Sequence, residues 1–428
     1  MSKSHGRMSV TISRLDHLFL FAILKFLIPC DQLYLLQTKH QWVKQLLITW
    51  QKNAWYRKGV TCDAKSIQKL SWTASENGDD LRCFPNLRKL RFSGFEGPVF
   101  LPNSLRAISF GTFNAPLRIG LLPDGLEKLQ FQTFNQPLQP KTIPHSVTEL
   151  RFGIAFNQFL GPNVLPSSLI TLIFPSRSRF NSSVVLPMNV QNAQFGISFS
   201  RDLNVTCLQR LRLGNYFTGS IGPNPMLTNL CWSPSSPLPE HLVHSNSLRN
   251  LFVDRAPMEF YPPNLTTLTV WMSSVKLIHL PTTLQKLTLP LHFNEPLFPG
   301  ALPPMLTSLD MGLSYSHDLF PGILPNSLRK FTLGSTLFMQ QFKTGWAPTD
   351  LMSLKFNPKH QREWHPGYLP SKLRKLKLTQ HYDINLILPS IPRHLSFLSF
   401  QSSSIDEKFL ELLHHILPNA LIEILDFK

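Results

Sequence analysis

The phrase Leu-Pro-Asn-Ser-Leu-Arg occurs at residues 101–106 and again at 324–329, and Leu-Pro-Ser-Lys-Leu-Arg at 369–374. These are the sharpest copies of a skeleton, Pro-x-x-Leu-x-x-Leu-x-Phe/Leu, that recurs from Pro85 to Phe427 at intervals of mostly 21 to 22 residues. A unit this short cannot bury its own apolar face, so successive units must stack and share one core. The strong units begin at Pro102, Pro123, Pro144, Pro166, Pro187, Pro262, Pro281, Pro303, Pro325, Pro348, Pro370 and Pro392; weaker ones lie near Pro85, Val205, Pro225, Ser245 and Pro418. Sixteen or seventeen turns are therefore expected.

The 36 prolines are placed by this rule, one at the head of almost every repeat. With 43% hydrophobic and 16% charged residues, the chain has enough apolar material for a long core and is not of disordered composition. A net charge of +17 suits an acidic partner. Five cysteines (Cys30, Cys62, Cys83, Cys207, Cys231) form no Cys-x-x-Cys pair and lack histidines at zinc spacing, which points to reduced thiols in the cytosol or nucleus. The apolar run Leu18–Ile28 is broken by Lys25, preceded by Asp16 and followed by no small-residue cleavage site, so it reads as neither a signal peptide nor a membrane span. The sequons at Asn181, Asn204 and Asn264 are accordingly read as chance matches.

After each proline come two polar or small residues and a short segment such as Leu373-Arg374-Lys375-Leu376-Lys377-Leu378. Its alternation predicts a strand with Leu376 and Leu378 inward and Lys375 and Lys377 outward. A second phrase follows several strands: Phe113-Asn114-Ala115-Pro116-Leu117, Phe134-Asn135-Gln136-Pro137-Leu138, Phe156-Asn157-Gln158-Phe159-Leu160 and Phe293-Asn294-Glu295-Pro296-Leu297. At fixed period these phenylalanines fall above one another as an aromatic spine, and each asparagine is placed to bond main-chain groups of the turn.

The two phrases together resemble the FNIP repeat, a relative of the leucine-rich repeat that is frequent in amoebae and in giant viruses infecting them. The resemblance implies a curved parallel solenoid that binds other proteins. Residues 196–260 depart from the pattern: Phe-Asn is lost and the proline-rich stretch Ser233–Pro239 intervenes, so irregular curvature or a bulging loop is expected there.

Both ends of a stack need covering. At the C-terminus Ser404-Ile405-Asp406-Glu407 reads as a capping box, followed by Phe409, Leu412, Leu413 and Ile416 at helical spacing. At the N-terminus Leu15, Phe19, Ala22, Ile23, Phe26 and Leu27 share one helical face, Pro29 ends that helix, and Asp31 is placed to cap a second helix with Leu33 and Leu36. Trp42, Val43, Leu46, Leu47 and Trp50 suggest a third. The order from apolar helix through Ile28-Pro29-Cys30-Asp31-Gln32-Leu33 to a tryptophan helix resembles an F-box, although Arg14-Leu15-Asp16-His17 stands where a Leu-Pro opening is usual. That resemblance implies docking on a Skp-type adaptor of a cullin ubiquitin ligase through Leu15, Leu18, Phe19, Ile23, Pro29, Leu33, Leu36 and Trp42; the alternative is that these helices only cap the first repeat. The expected organisation is an F-box-like segment over 12–58, a connector over 59–83, a solenoid of short parallel strands over 84–403, and a capping helix with a last turn over 404–428.

No catalytic constellation is legible: there is no phosphate-binding loop, His-Glu-x-x-His or Gly-x-Ser-x-Gly, and the histidine pairs His241/His244 and His414/His415 lack neighbouring ligands. An enzyme is not expected, nor a cofactor, a metal or a membrane partner. The outward strand slots carry charge of one sign: Lys89 and Arg91, Lys128, Arg151, Arg210 and Arg212, Lys286, Lys330, Lys355, Lys375 and Lys377, against Glu149 and Asp310. On a parallel solenoid they form a lane that would attract an acidic or phosphorylated protein target, with Lys330, Lys355, Lys375 and Lys377 as its densest cluster. A solvated face kept charged for solubility is the competing reading. Three functions are compatible with this: a ligase substrate adaptor, a simple interaction scaffold, and a nucleic-acid binder. The last would need aromatic groups interleaved with the basic slots, where only Phe252, Phe397 and Trp271 are expected outside.

Overall fold

The computed structural model describes residues 56–57 and 64–425, apart from 74–78, 95–98, 205, 256–258, 273–276, 335–344, 357–365, 382–383 and 402–406. The eight residues that would contact a Skp-type adaptor, and the three helices expected from them, lie outside the described residues.

Each Pro-x-x-Leu phrase closes a turn. The leucine N–H donates to the proline carbonyl three residues earlier, at 3.1 Å for Leu105 on Pro102, 3.0 Å for Leu328 on Pro325 and 3.1 Å for Leu373 on Pro370. The same leucines are fully buried, so one residue both ends the turn and anchors it in the core. The serine before the leucine ties one turn to the previous one: the Ser104 hydroxyl donates to the Leu87 carbonyl at 2.8 Å, and Ser327 to that of Leu306 at 2.7 Å. Three residues before the proline the backbone turns left-handed at Gly120, Gly300, Gly322, Gly345 and Gly367, with φ between +82° and +86°. Lys141 (φ +68°) and Asn163 (φ +62°) occupy the same position in their turns.

The chain divides into two units, residues 1–134 with 142–147, and residues 135–141 with 148–428. The first contains strands β1 (Tyr56–Arg57), β2 (Lys69–Thr73), β3 (Asp79–Asp80), β4 (Lys89–Ser93), β5 (Val99–Phe100), β6 (Ala107–Phe110) and β7 (Lys128–Phe131). β1, β2, β4, β6 and β7 form a parallel ladder in which Leu70, Leu90, Ile108 and Leu129 are register partners, all buried. β3 and β5 pair in a separate two-stranded ladder. Residues 59–83, expected as a connector, thus carry a full rung: the inward–outward alternation of Lys69-Leu70-Ser71-Trp72 is that of the later repeats, without the proline that marks them.

The second unit is a ladder of fourteen parallel strands: β8 (Glu149–Arg151), β9 (Thr171–Ile173), β10 (Asn192–Gln194), β11 (Arg210–Leu213), β12 (Asn229–Trp232), β13 (Asn250–Val253), β14 (Thr267–Val270), β15 (Lys286–Thr288), β16 (Ser308–Asp310), β17 (Lys330–Leu333), β18 (Ser353–Phe356), β19 (Lys375–His381), β20 (Phe397–Gln401) and β21 (Leu421–Leu425). Each pairs with the next, and the ladder runs without interruption through the divergent stretch 196–260. The steps there are shorter, from 192 to 210, 229, 250, 267 and 286, that is 18, 19, 21, 17 and 19 residues, against the 22 that separate Lys286, Ser308 and Lys330. The Ser233–Pro239 stretch is tied to the core by the Trp232 indole N–H, which donates to the Ser236 carbonyl at 2.9 Å, and it leads into the short helix α1 (Glu240–Val243).

The phenylalanine spine is present in both units. Phe113 and Phe134 stack at 5.9 Å and 5° in the first; Phe156, Phe180, Phe199 and Phe217 follow one another at 6.0, 5.8 and 6.1 Å in the second. The first two turns of the divergent stretch keep the ring and replace only the asparagine, by Ser200 and Thr218; beyond Phe217, which meets Trp232 edge-on, the phrase is absent until Phe293. A second column, Phe152, Phe174 and Phe195, comes from the residues that directly follow β8, β9 and β10 and packs against the first. At the C-terminal end helix α2 (Glu407–Ile416) precedes β21 and buries Leu413, with Leu417 just past its end; Leu412, expected on the same face, is exposed.

Candidate functional site

Parallel register lays the outward slots out as two columns on the strand face of the second unit. One column runs Arg210, Asn229, Asn250, Thr267, Lys286, Ser308, Lys330, Ser353, Lys375; the other runs Arg212, Cys231, Phe252, Thr269, Thr288, Asp310, Thr332, Lys355, Lys377. All eleven basic residues singled out in the sequence (Lys89, Arg91, Lys128, Arg151, Arg210, Arg212, Lys286, Lys330, Lys355, Lys375 and Lys377) are exposed. Lys89 and Arg91 belong to the first unit and occupy outward slots of its β4.

Their surroundings differ. Arg151 is paired on its own strand with Glu149, 2.6 Å away. The lysine cluster is flanked by acids: Glu423 lies 3.9 Å from Lys377, and Lys330 and Lys355 act on Asp310. Burial raises the Asp310 carboxyl above its usual range, against the lowering effects of the Gly312 N–H, Lys355 and Lys330. Within the cluster Lys355 and Lys377 are direct register partners, an arrangement of like charges that costs stability on an isolated sheet. The Lys377 ammonium lies 4.8 Å from the centre of the Phe397 ring.

Arg210 and Arg212 form no ion pair with any described carboxylate. They stand at the middle of a cavity of about 560 Å³ on the strand face of β9–β14, lined also by Asn192, Gln194, Asn229, Cys231, Asn250, Ile173 and Phe252. Burial pushes the Cys231 thiol up, Arg212 and the Ser233 hydroxyl act in the other direction, and the Asp254 charge adds to the rise. This hollow coincides with the shortened repeats. Much of its lining is apolar, from Ile173, Leu211, Leu230, Leu251 and Phe252, and the polar part is concentrated in one column of asparagine and threonine, a signal present in the sequence at Asn192, Asn229, Asn250 and Thr267.

Two arginines of the repeat phrase, Arg106 and Arg329, have structural work. The Arg106 guanidinium bonds the carbonyls of Asn103 and Gly125, at 3.1 and 3.2 Å, and Arg329 pairs with Asp350 at 3.0 Å, joining one turn to the next. None of the described helices is long and apolar enough to cross a membrane.

A stacked parallel ladder with a sealed aliphatic and aromatic interior and a charged, hollowed outer strand face defines a leucine-rich-repeat-like interaction scaffold. The FNIP Repeat family model matches residues 97–133, 134–177 and 293–336, so the chain carries FNIP repeats in both units. Among solved structures it is similar to CroV588, described as a novel circular LRR protein: 26% identity over 80% of this chain and 54% of that one, with a TM-score of 0.64. The chain thus spans about half the length of that protein. YopM from Yersinia enterocolitica (17% identity, 84% of this chain and 77% of that one, TM-score 0.36) and an LRR protein from Leptospira interrogans (16%, 84% and 96%, TM-score 0.39) also match. Comparison with the curated proteins gives no match.

Proposed function

We propose that this chain is a non-enzymatic adaptor that holds an acidic protein target on the outward strand face of its repeats and presents it to a cullin ubiquitin ligase through residues 12–58. The observation that carries the target-binding half is the Lys355–Lys377 register pair, with Lys330 and Lys375 beside it: a sheet face kept for solubility alone gains nothing from like charges placed opposite each other. A negatively charged segment laid across β17–β19 would relieve that repulsion. The ligase half rests on the order of apolar, proline and tryptophan signals between Leu15 and Trp42, which fits an F-box.

A nucleic-acid target is the weaker reading, because the two outward columns from Arg210 to Lys377 carry one aromatic ring, Phe252, among seven basic groups. Affinity capture with the full chain tests the proposal in its two parts. Reversal of the lane (Lys330→Glu, Lys355→Glu, Lys377→Glu) is expected to lose the target proteins and keep the adaptor. Ile23→Asp with Leu33→Asp is expected to lose a purified Skp-type adaptor and keep the targets. Targets that survive lane reversal would overturn the first half, and an adaptor that never binds the intact chain would overturn the second.

A further inference from the structure

We infer that the hollow on β9–β14 is a binding groove for an extended phosphoserine- or phosphothreonine-containing peptide, with Arg210 and Arg212 holding the phosphate. The inference deepens the proposed protein-interaction reading and rests on it.

The first argument is charge. Two guanidinium groups stand side by side on one strand, both outward, with no described carboxylate in ion-pairing range, and both line the same cavity. Elsewhere on this face the arginine of β8 and the lysine at 377 have acidic neighbours. A single carboxylate satisfies one guanidinium; two unpaired guanidiniums match the double charge and three acceptor oxygens of a phosphate monoester.

The second argument is the lining. Arg210 is flanked in register by Asn192 and Asn229, with Asn250 one rung further, and Arg212 by Gln194 and Cys231. Asn192 and Gln194 each donate one amide N–H within the protein, to the Thr171 hydroxyl and the Phe174 carbonyl, and Asn229 accepts the Thr228 hydroxyl. Each amide has a second N–H and a second acceptor lone pair, which suits the main chain of an extended peptide whose own N–H and C=O groups need partners.

The third argument is spacing, and it gives the motif. The column of Arg212 contains two apolar side chains, Ile173 and Phe252, each half-buried and each two rungs away on opposite sides. Two rungs of a sheet span about 10 Å, and a peptide crossing them in the polyproline-II conformation advances about 3.1 Å per residue and returns a side chain to the same face every third residue, so apolar contacts fall about three residues before and after the phosphoresidue. The expected ligand is an apolar residue, two spacer residues, phosphoserine or phosphothreonine, two spacers and a second apolar residue.

The test uses the full chain and a phosphoserine-centred peptide library randomised at three positions on each side. Enrichment of aliphatic or aromatic residues at −3 and +3 is expected. The selected peptide should bind at least tenfold more weakly without its phosphate, and at least tenfold more weakly to the Arg210→Ala/Arg212→Ala protein. Phe252→Ala should abolish the preference at one flank while leaving the phosphate dependence. Lys355→Ala/Lys377→Ala should change affinity less than twofold, and circular dichroism should show all variants folded. The inference is overturned if the arginine variant binds as the parent does, if the lysine variant loses as much, if no flanking preference emerges, or if inorganic phosphate or poly-uridylate displaces the peptide at concentrations equal to the peptide's own. Should the library fail while affinity capture still yields lane-dependent targets, this groove falls and the scaffold reading stands.

Discussion

The side-chain oxygen of Asn157 accepts the backbone N–H of Asn181, one turn further along, at 2.8 Å, while the N–H of Asn157 is itself held by the side chain of Asn135 at the same distance. The relay continues, with Asn181 holding the Ser200 N–H at 2.9 Å and the Ser200 hydroxyl holding the Thr218 N–H at 3.2 Å. Each turn thus lends a side-chain acceptor to a backbone group that its own strand ladder leaves open. Asn157→Ala removes one link, at a cost of about 1 kcal/mol for a solvent-accessible bond. Repeat arrays open locally, so the loss should be read by hydrogen exchange as faster exchange of the Asn181 amide, with amides beyond β15 unchanged. Asn157→Asp keeps the acceptor and is expected to keep the protection.

Phe180 is fully buried between Phe156 and Phe199 in one column and 4.1 Å from Phe174 in the other. Its truncation to alanine leaves a void that neighbours on a fixed strand spacing cannot fill, and about 3–5 kcal/mol should be lost. Phe180→Leu retains most of the volume and should cost about 1–2 kcal/mol. Urea unfolding followed by fluorescence of Trp232, which meets the end of the same column through Phe217, measures both. Equal midpoints for the two variants would show that the rings stack without contributing more than a leucine would.

Gly322 adopts φ +86° and has open space where a Cβ would stand, whereas Lys141 holds the equivalent position at φ +68° with a full side chain. Any effect of substitution at Gly322 is therefore backbone strain and not crowding. Gly322→Ala should destabilise by about 1 kcal/mol, and Lys141→Gly should recover a similar amount, reduced by the added freedom of the unfolded chain. Thermal unfolding of the two variants in parallel tests the pair: opposite signs are expected.

The strand ladder was legible because its signal is repeated. Leu105, Leu328 and Leu373 each carry the same turn bond and the same burial, so a pattern faint in one unit becomes decisive when it recurs. The rung at Lys69–Thr73 escaped because it has the alternation without the proline, and alternation over five residues is common by itself. The groove was half legible. Arg210 and Arg212 were visible as outward basic slots, but that no described carboxylate forms an ion pair with them depends on which strand lies beside which at a shortened step, and that is set by packing. The lysine cluster reads as purely basic in the sequence because Asp310 and Glu423 are distant from it along the chain and come beside it only in the sheet.

Asp310 gives a pH-dependent check on that adjacency. Burial holds its carboxyl above the usual value of 3.8, so the folded state favours the protonated form more than the unfolded chain does. A carboxyl raised in this way stabilises the fold fully below the unfolded value and loses that contribution as the pH climbs through the folded one. Asp310→Asn stays neutral throughout and can still accept the Gly312 N–H, which Asp310 now accepts at 3.1 Å. The variant and the parent should therefore unfold alike near pH 3, and the variant should be the more stable near pH 7. Because Lys355 and Lys330 oppose the rise, Lys355→Ala should widen the gap at pH 7 in the Asp310 background and have a smaller effect in the Asn background, a coupling that a double-mutant cycle measures directly. A variant less stable than the parent at pH 7 would mean that the lysines outweigh burial, and that Asp310 belongs to the charged surface as an ion-paired member of the cluster.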